Sequence, residues 1–356
     1  MLFQNMKVGE IELPSRIVMA PLTRSRAVAG NAPNDLHVEY YRQRASAGLI
    51  VTEGTSPSAN GLGYARTPAI YTDAQIAGWK NVTDAVHAAG GRIFLQIMHV
   101  GRIAHPLNQP AGARILAPSA IAPKVEMWTD EKAMQPIPAP EAMSVDDIRA
   151  TIAEFSQGAR NAQQAGFDGL ELHSANGYLP NQFLSPNANQ RTDEYGGSIE
   201  NRVRFTLEVF DALAEVWGPG RVGVRVSPGG SFNDMLDGDP RATYVWLAKQ
   251  LSARRAAYLH VVRPFPFAPA EAAFDVWAEL RQAFDGALIA NGGLDPKSAA
   301  DLIAAGVADL AAFGRPFIAN PDLPARIRNG WPLAQPDAST FYTPGPKGYT
   351  DYAAFA

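Results

Sequence analysis

Eight short apolar runs alternate with longer amphipathic stretches over most of this 356-residue chain. Buried strands that alternate with helices are typical of a parallel sheet covered on both faces. Eight such units in one chain predict an α/β fold of the (β/α)8 TIM barrel type. The predicted strands are Ile17–Ala20, Leu49–Thr52, Ile93–Met98, Gly169–His173, Val222–Val226, Tyr258–Val262, Ala287–Ala290 and Leu310–Phe313.

The amphipathic stretches supply the helices that such a barrel needs between its strands. A doubly wound sheet is the structural alternative, but it requires a Gly-x-Gly-x-x-Gly motif after the first strand. This chain has no such motif there. The predicted helices are His37–Ala47, Asp73–Ala89, Val145–Ala165, Ile199–Trp217, Ala242–Arg254, Glu271–Phe284, Pro296–Ala305 and Pro321–Asn329.

The segment 101–142 is too long and too rich in proline for a plain loop between a strand and a helix. It is predicted to be an insertion after the third strand that lies over the barrel mouth. The residues before Arg16 are expected to form a small hairpin under the barrel. Residues 1–356 are then interpreted as one barrel domain.

Composition excludes several classes of function. A formal net charge of −4 supplies no basic surface for nucleic acid or an anionic membrane. Cysteine is absent, which excludes disulfides, cysteine-ligated iron–sulfur clusters, thiolate zinc sites and cysteine nucleophiles. No apolar run reaches the roughly 18 residues of a membrane span, and no secretory signal is visible at the start. We therefore expect a cytoplasmic enzyme.

Arg225 stands in the middle of an otherwise apolar predicted strand. Burying a charged side chain there is costly unless it has an anionic or carbonyl partner. One explanation is an ion pair with a neighbouring strand. The other is a ligand with electronegative oxygens that lies across the barrel mouth, where the active sites of these barrels are found.

The last two predicted strands end in Asn291-Gly292-Gly293 and in Gly314-Arg315. Glycines let backbone N–H groups approach a ligand closely, and arginine offers a forked donor for phosphate. In these barrels, the loops after the seventh and eighth strands often bind phosphate. The pattern predicts a phosphorylated ligand.

The fourth predicted strand runs into His173, Asn176 and Tyr178. His173 and Asn176 are three residues apart, so both can donate to one oxygen if this turn is helical. Tyr178 carries a phenol that can act as a proton donor. A histidine at a strand end commonly satisfies a local hydrogen bond. Here the arginine and the phosphate site at the same mouth favour a functional role.

These residues lie within longer motifs that resemble those of the old yellow enzyme family of flavin-dependent ene reductases. The resemblance covers nearly the whole chain. The motifs that carry it are residues 173–186, 189–198, 201–202, 20–24, 40–45, 224–228, 313–321 and 348–352.

The resemblance implies a barrel that binds FMN and reduces activated C=C bonds with NADPH or NADH as hydride donor. The implied isoalloxazine contacts are Pro21, Leu22, Thr23, Gly54 and His173, and the implied pyrimidine-edge contacts are Gln96 and Arg225. The implied phosphate site consists of Arg315 and the backbone around Asn291, Gly292, Gly293 and Gly314.

The resemblance also implies the chemistry. Hydride would move from flavin N5 to the β-carbon of the alkene, and Tyr178 would protonate the α-carbon. His173 and Asn176 would bind the carbonyl or nitro oxygen, and they would also bind phenolic ligands. Met98 and Tyr349 would be further substrate contacts. We expect a monomer or a small homo-oligomer.

Two branches of the family are excluded because they use cysteine, either near the first strand end or as cluster ligands. The match is closest to the bacterial maleimide- and nitroester-reducing group. Many relatives have histidine in place of Asn176 and tryptophan in place of Met98. The loop Arg263–Phe267 does not match the family pattern, and no role is assigned to it.

Three other functions compete with an ene reductase. A metal-dependent barrel hydrolase would use His99, His105, His173 and His260 with acidic residues, but no ligand-spaced cluster is visible. A flavin-binding sensor would not need His173, Asn176 and Tyr178 together. A nitroester or nitroaromatic reductase on the same site is the alternative within the flavin class.

Overall fold

A computed structural model of the chain describes residues 1–264 and 274–355. Eight parallel strands close into a barrel in which neighbouring strands follow one another along the chain and the last strand pairs with the first. This confirms the predicted (β/α)8 fold. The barrel strands are β3 Ile17–Met19, β4 Leu49–Val51, β5 Ile93–Ile97, β10 Gly169–Ser174, β11 Val222–Val226, β12 Tyr258–Val262, β13 Ala287–Asn291 and β14 Leu310–Phe313.

Helices follow the barrel strands and form the outer layer. Several begin with a side-chain cap, such as Thr72, Ser144 and Asp295, whose oxygen accepts a backbone N–H of the first turn. The helices are α1 Asp35–Gln43, α2 Asp73–Ala88, α3 Val145–Gln164, α4 Leu179–Leu184, α5 Ile199–Trp217, α6 Pro240–Ala253, α7 Val276–Ala283, α8 Pro296–Ala304, α9 Arg315–Ala319 and α10 Leu323–Asn329. The predicted helix Glu271–Phe284 starts outside the described residues.

A short hairpin closes the lower end of the barrel. Strands β1 Met6–Val8 and β2 Ile11–Leu13 pair antiparallel, and Glu10 donates its N–H to Gly220 O just before β11. Val8 and Ile11 pack with Phe94 and Tyr258 from the barrel interior. Polar ligands are therefore confined to the opposite end, where the strands finish.

The segment 101–142 lies between β5 and α3 and contains four short strands. Its buried residues Ile115, Met127 and Ile137 share one apolar cluster with Met98 and Tyr178. The segment thus packs on residues at the carboxyl ends of the barrel strands. The four strands are β6 Leu116–Ala117, β7 Glu126–Thr129, β8 Ala133–Pro136 and β9 Glu141–Ala142. Within the described ranges, no helix is long and apolar enough to cross a membrane.

Candidate active site

Strand register brings polar side chains together at one end of the barrel. Glu171 on β10 pairs with Gln96 on β5, and His173 pairs with Arg225 on β11. Arg225 in turn pairs with His260 on β12. Neighbouring residues of parallel strands point to the same side of the sheet, so all five side chains share the barrel interior.

His173 and Tyr178 form the centre of the mouth. Both side chains are almost fully buried, and their rings meet edge to face with centroids 4.8 Å apart. His173 Nδ1 has no hydrogen-bond partner among the described residues. Burial, with the positive charge of Arg225 and the neighbouring His260, lowers the pKa of His173 well below its ordinary value. The imidazole is therefore neutral, and its Nδ1 is free to bind a ligand.

Tyr64 is a residue of this site that the sequence analysis missed. The Tyr178 hydroxyl donates to the Tyr64 hydroxyl at 3.2 Å, and the two rings meet edge to face. Burial, reinforced by Tyr64, raises the pKa of Tyr178 well above its ordinary value. The phenol of Tyr178 consequently keeps its proton at neutral pH. Tyr64 comes from the long loop after β4, where no periodic pattern marks it.

The turn after β10 is not helical, so the condition under which their spacing alone would bring His173 and Asn176 to one oxygen is not met. Asn176 lies in the left-handed region, with φ +57°, and helix α4 begins only at Leu179. The Asn176 N–H donates to Ser227 Oγ at 2.8 Å, and its C=O accepts from Asn233 Nδ2 at 2.8 Å. The main chain of Asn176 is thus fixed beside the mouth from two sides.

Among the described residues, the Arg225 guanidinium has one side-chain partner, and its Nε donor is open. Its Nη2 donates to Asn291 Oδ1 at 2.9 Å, and Asn291 Nδ2 donates to Ala312 O at 2.9 Å. Arg225 Nε is buried with no partner among the described residues. The Asn291 side chain therefore holds Arg225, and the assignment of the backbone around Asn291 to the phosphate site stays a prediction.

The predicted phosphate residues lie at the rim. Gly292 and Gly293 both have positive φ, +111° and +69°, and a Cβ on Gly293 would meet no atom within 4 Å. The nearest atom to a Cβ on Gly314 is Leu22 Cδ2 at 3.4 Å. Arg315 follows directly and is exposed. These residues leave open space beside backbone N–H groups, as an anionic group requires.

The first strand ends next to this rim. Ala20 N donates to Phe313 O at 3.0 Å, so the segment from Pro21 to Thr23 starts beside Gly314. Pro21 is buried, while Leu22 and Thr23 are half-buried.

Met98 packs against Gly54. A Cβ on Gly54 would collide with Sδ and Cε of Met98, so a larger residue there would displace the end of the Met98 side chain. Met98 is also buried in the cluster that contains Tyr178. The structure therefore brings Met98 to the mouth, as the sequence analysis expected.

The structure does not bring Tyr349 to the mouth. Its ring is fully buried, stacks on Tyr40 at 4.1 Å and lies beneath the guanidinium groups of Arg24 and Arg26. This packing leaves no surface on which a substrate could bind, so Tyr349 is not a substrate contact in this structure.

A different tyrosine of the same C-terminal segment approaches the site. Tyr342 is 62% exposed, and its phenol is close enough to affect the pKa of both Tyr64 and Tyr178. Arg66 Nη2 donates to Tyr342 O at 2.9 Å and fixes this position. Both tyrosines lie in a tail without periodic pattern, so sequence spacing could not choose between them.

The histidines of the hydrolase alternative are dispersed. His99 is buried and accepts Gly101 N–H at Nδ1, His105 caps a single 3₁₀ turn, and His260 binds Glu171. Within the described ranges, no group of three or more His, Cys, Asp or Glu side chains could hold a metal ion. The described histidines do not assemble the centre that a metal hydrolase requires.

A model of the NADH:flavin oxidoreductase / NADH oxidase family, whose members use FMN, matches residues 1–334 of this chain. The chain belongs to this family. A probable flavin mononucleotide-dependent alkene reductase of Leishmania infantum is 46% identical over 349 residues, covering 97% of this chain and 95% of the relative. Rice 12-oxophytodienoate reductase 1 (Oryza sativa subsp. japonica) is 45% identical over 352 residues, covering 97% and 91%.

Solved structures agree with this family membership. Morphinone reductase in complex with tetrahydroNAD matches with a TM-score of 0.94 at 47% identity, covering 100% of this chain and 98% of that chain. An old yellow enzyme homologue from Zymomonas mobilis matches with a TM-score of 0.96 at 38% identity, covering 99% of both. This chain is thus a member of the old yellow enzyme family, an FMN-dependent ene reductase that reduces activated C=C bonds with NAD(P)H.

The mouth of this flavin enzyme fits FMN. Arg225 Nε and His173 Nδ1 are buried polar atoms that lack protein partners within the described residues. Such atoms are costly unless a ligand satisfies them. The glycines and Arg315 at the rim offer the donor set that a phosphate prefers.

Proposed function

We propose that His173 and Asn176 hold the oxygen of an activated alkene while Tyr178 donates a proton to its α-carbon. The observation that carries this proposal is the unpartnered Nδ1 of buried His173, with the Tyr178 ring at 4.8 Å. FMN, when bound, supplies the hydride for the β-carbon. Pro21, Leu22, Thr23, Gly54, Gln96 and Arg225 would hold its ring, with Gly292, Gly293, Gly314 and Arg315 at its phosphate.

His173 acts on the substrate oxygen as a neutral donor. Its lowered pKa keeps it uncharged, so one ring nitrogen carries a proton and can donate it to an oxygen. The side-chain amide of Asn176 is the second donor. Negative charge grows on the substrate oxygen as hydride arrives, so both hydrogen bonds are strongest in the transition state.

Tyr178 is suited to give up its proton only during the reaction. Its raised pKa keeps the phenol protonated, and burial within the cluster that includes Met127 and Ile137 limits access of water. Tyr64 is in hydrogen-bond contact and offers a second phenol next to the first. The pair keeps a proton available at Tyr178 Oη.

An anaerobic titration tests this function. The purified protein should be yellow, lose its flavin absorbance with NADPH, and regain it when 2-cyclohexenone is added, with cyclohexanone as the product. Reoxidation by a nitroester with release of nitrite, but not by the enone, would favour the alternative nitro reductase on the same site. A colourless protein that contains zinc would contradict both assignments.

Met98→Trp should narrow the range of substrates. The Met98 thioether adapts to irregular shapes, whereas an indole is rigid and larger. Because Met98 packs on Gly54 beside Tyr178, we expect bulky β-substituted enones to be reduced more slowly or with altered facial selectivity. Met98→Leu, which nearly conserves the volume, is the matched control. An unchanged substrate range and enantiomer ratio in Met98→Trp would place residue 98 outside the pocket.

Small-molecule alkenes are the substrates, and the remaining partner assignments are part of this proposal. Phenols should bind at His173 and Asn176, which we call the oxygen-binding pair. The enzyme should be a monomer or small homo-oligomer. Sedimentation of the purified protein measures the oligomeric state. Cell fractionation tests the predicted cytoplasmic location. Membership of this chain in the bacterial maleimide- and nitroester-reducing subgroup also stays a prediction.

A further inference from the structure

The barrel interior contains a carboxylate that the reaction chemistry does not use. Glu171 is fully buried, and donors from two other strands reach it. Gln96 Nε2 lies 2.8 Å from its Oε1, while the Tyr258 hydroxyl and His260 Nδ1 lie 3.1 and 2.8 Å from its Oε2. Each carboxylate oxygen is therefore hydrogen-bonded, and only one of the two faces Gln96.

Glu171 is ionised in this setting. Burial by itself raises its pKa, but the electrostatic influence and hydrogen bond of His260, the positive charge of Arg225 and the hydrogen bond from Gln96 lower the pKa below its ordinary value. A carboxylate only accepts hydrogen bonds, so every group that faces it must donate. Gln96 must therefore turn its NH2 group to Glu171, which leaves its carbonyl oxygen for another partner.

The same carboxylate acts on Arg225. The guanidinium is buried with Nε unpartnered in the described residues, and its one side-chain acceptor, Asn291, is neutral. Glu171 lies two residue pairs below Arg225 in the strand register, on the same side of the sheet, and close enough for the two charges to affect each other. Its negative charge offsets part of the desolvation cost of burying the arginine.

We propose that Glu171 is a positioning residue for FMN, holding the Gln96 carbonyl oxygen towards the N–H of the flavin pyrimidine ring and balancing the charge of Arg225. This inference rests on the proposed placement of Gln96 and Arg225 at the pyrimidine edge. That edge has a single N–H between two carbonyl oxygens. One acceptor and one cationic donor are the set that matches it.

Glu171→Gln separates this role from packing. The new side chain has the same shape, but its carbonyl oxygen would satisfy Tyr258 and His260, and its NH2 group would then face the NH2 of Gln96. Gln96 must turn over and present NH2 instead of an oxygen. The loss of one acceptor should raise the FMN dissociation constant of the apoprotein by about tenfold.

The reduction potential is the second readout of Glu171→Gln. Reduced FMN bound beside Arg225 carries more negative charge in its ring than oxidised FMN. Removing the carboxylate stabilises the reduced form, so the midpoint potential should shift to more positive values. Glu171→Asp retains the charge but shortens the reach to Gln96. It should weaken FMN binding and leave the potential near that of the wild type.

Tyr258→Phe is the matched structural control. It removes one hydrogen bond to Glu171 Oε2 and leaves the charge and the Gln96 contact in place. We expect a lower melting temperature of the apoprotein, an FMN affinity within about twofold of the wild type, and an unchanged potential. Equal shifts of the potential in Tyr258→Phe and Glu171→Gln would overturn the proposal, because both would then report packing alone.

Gln96→Ala and Arg225→Met test the assignment beneath the inference. Arg225→Met should lower the potential, and both should weaken FMN binding. If neither changes FMN affinity or potential, the pyrimidine-edge assignment is wrong. A second outcome is that Gln96→Ala and Arg225→Met change FMN affinity or potential, while the folded variants Glu171→Gln and Glu171→Asp retain the wild-type values. In that case only the role of Glu171 is refuted. If neither Glu171 variant folds with FMN, Glu171 is a structural residue and the proposal is likewise overturned.

Discussion

Tyr178→Phe should slow alkene reduction by roughly 10²–10⁴-fold, the usual contribution of a general acid. The substitution removes the hydroxyl and keeps the ring, so the edge-to-face contact with His173 and the apolar cluster with Met98 are preserved. Reduction of the enzyme by NADPH should be nearly unchanged, because it needs no proton from this phenol. Stopped-flow measurement of the two half-reactions, each followed by flavin absorbance, checks the expectation.

Tyr64→Phe is the matched control for Tyr178→Phe. It breaks the hydrogen bond between the two phenols but leaves the Tyr178 hydroxyl in place. Its effect on alkene reduction should therefore be much smaller than that of Tyr178→Phe. If Tyr178→Phe instead slows oxidation of NADPH while pre-reduced enzyme turns over the enone normally, the proton-donor role is wrong.

The barrel was predictable because its strands are buried on both faces. Each is a short apolar run, and the runs that start at Gly169 and Val222 match β10 and β11 within one residue at either end. A parallel strand that is buried on both faces is a nearly continuous apolar run, and a single sequence displays such runs. The carboxyl ends of the strands locate the barrel mouth. His173, Arg225 and Met98 lie at or near these ends in the sequence, so their position at the mouth could be predicted.

The turn after β10 was not predictable from helical spacing. A three-residue interval would bring the two polar groups together in a helical turn, but the chain reverses through Asn176 and Gly177, which both have positive φ. The dipeptide itself carried the signal, because asparagine and glycine are the residues that tolerate the left-handed region. Turn chemistry at this point was a better guide than periodicity.

Contacts between distant segments account for what else the sequence analysis missed. Glu171 reaches Gln96 through the register of β10 on β5, and the C-terminal segment that carries Tyr342 is held by Arg26 and Arg66, which donate to its carbonyl groups. Neither pairing leaves a local pattern. Such interactions depend on three-dimensional placement. Glu171 therefore cannot be distinguished from an ordinary strand residue until that placement is known.

The oxygen-binding pair gives the second large effect. Phenols should bind the oxidised enzyme as phenolates and produce a long-wavelength charge-transfer band with the flavin. Charge-assisted hydrogen bonds from His173 and Asn176 favour the anionic form. Removing either donor should weaken phenol binding by about 1.5–3 kcal/mol, or roughly 10- to 150-fold in the dissociation constant. Titration of His173→Ala and Asn176→Ala with a simple phenol measures this.

Backbone strain at residue 176 must be separated from loss of its amide donor. Asn176 has φ +57°, where alanine is disfavoured, so Asn176→Ala changes the turn as well as the donor. Asn176→Asp and Asn176→His both tolerate this conformation. The aspartate removes the donor and repels a phenolate, so binding should weaken further, whereas the histidine restores a donor and should recover most of the affinity.

Flavin content provides the internal check on the same variants. FMN should be retained when residue 176 is changed, because the proposed phosphate site at Gly293 and Arg315 is formed by other strands. Phenol affinities that follow the order Asn, His, Ala, Asp at equal flavin content would show that the donor at residue 176 controls oxygen binding. Wild-type phenol affinity in both His173→Ala and Asn176→Asp would instead place the substrate oxygen elsewhere in the mouth and remove the basis of the proposed mechanism.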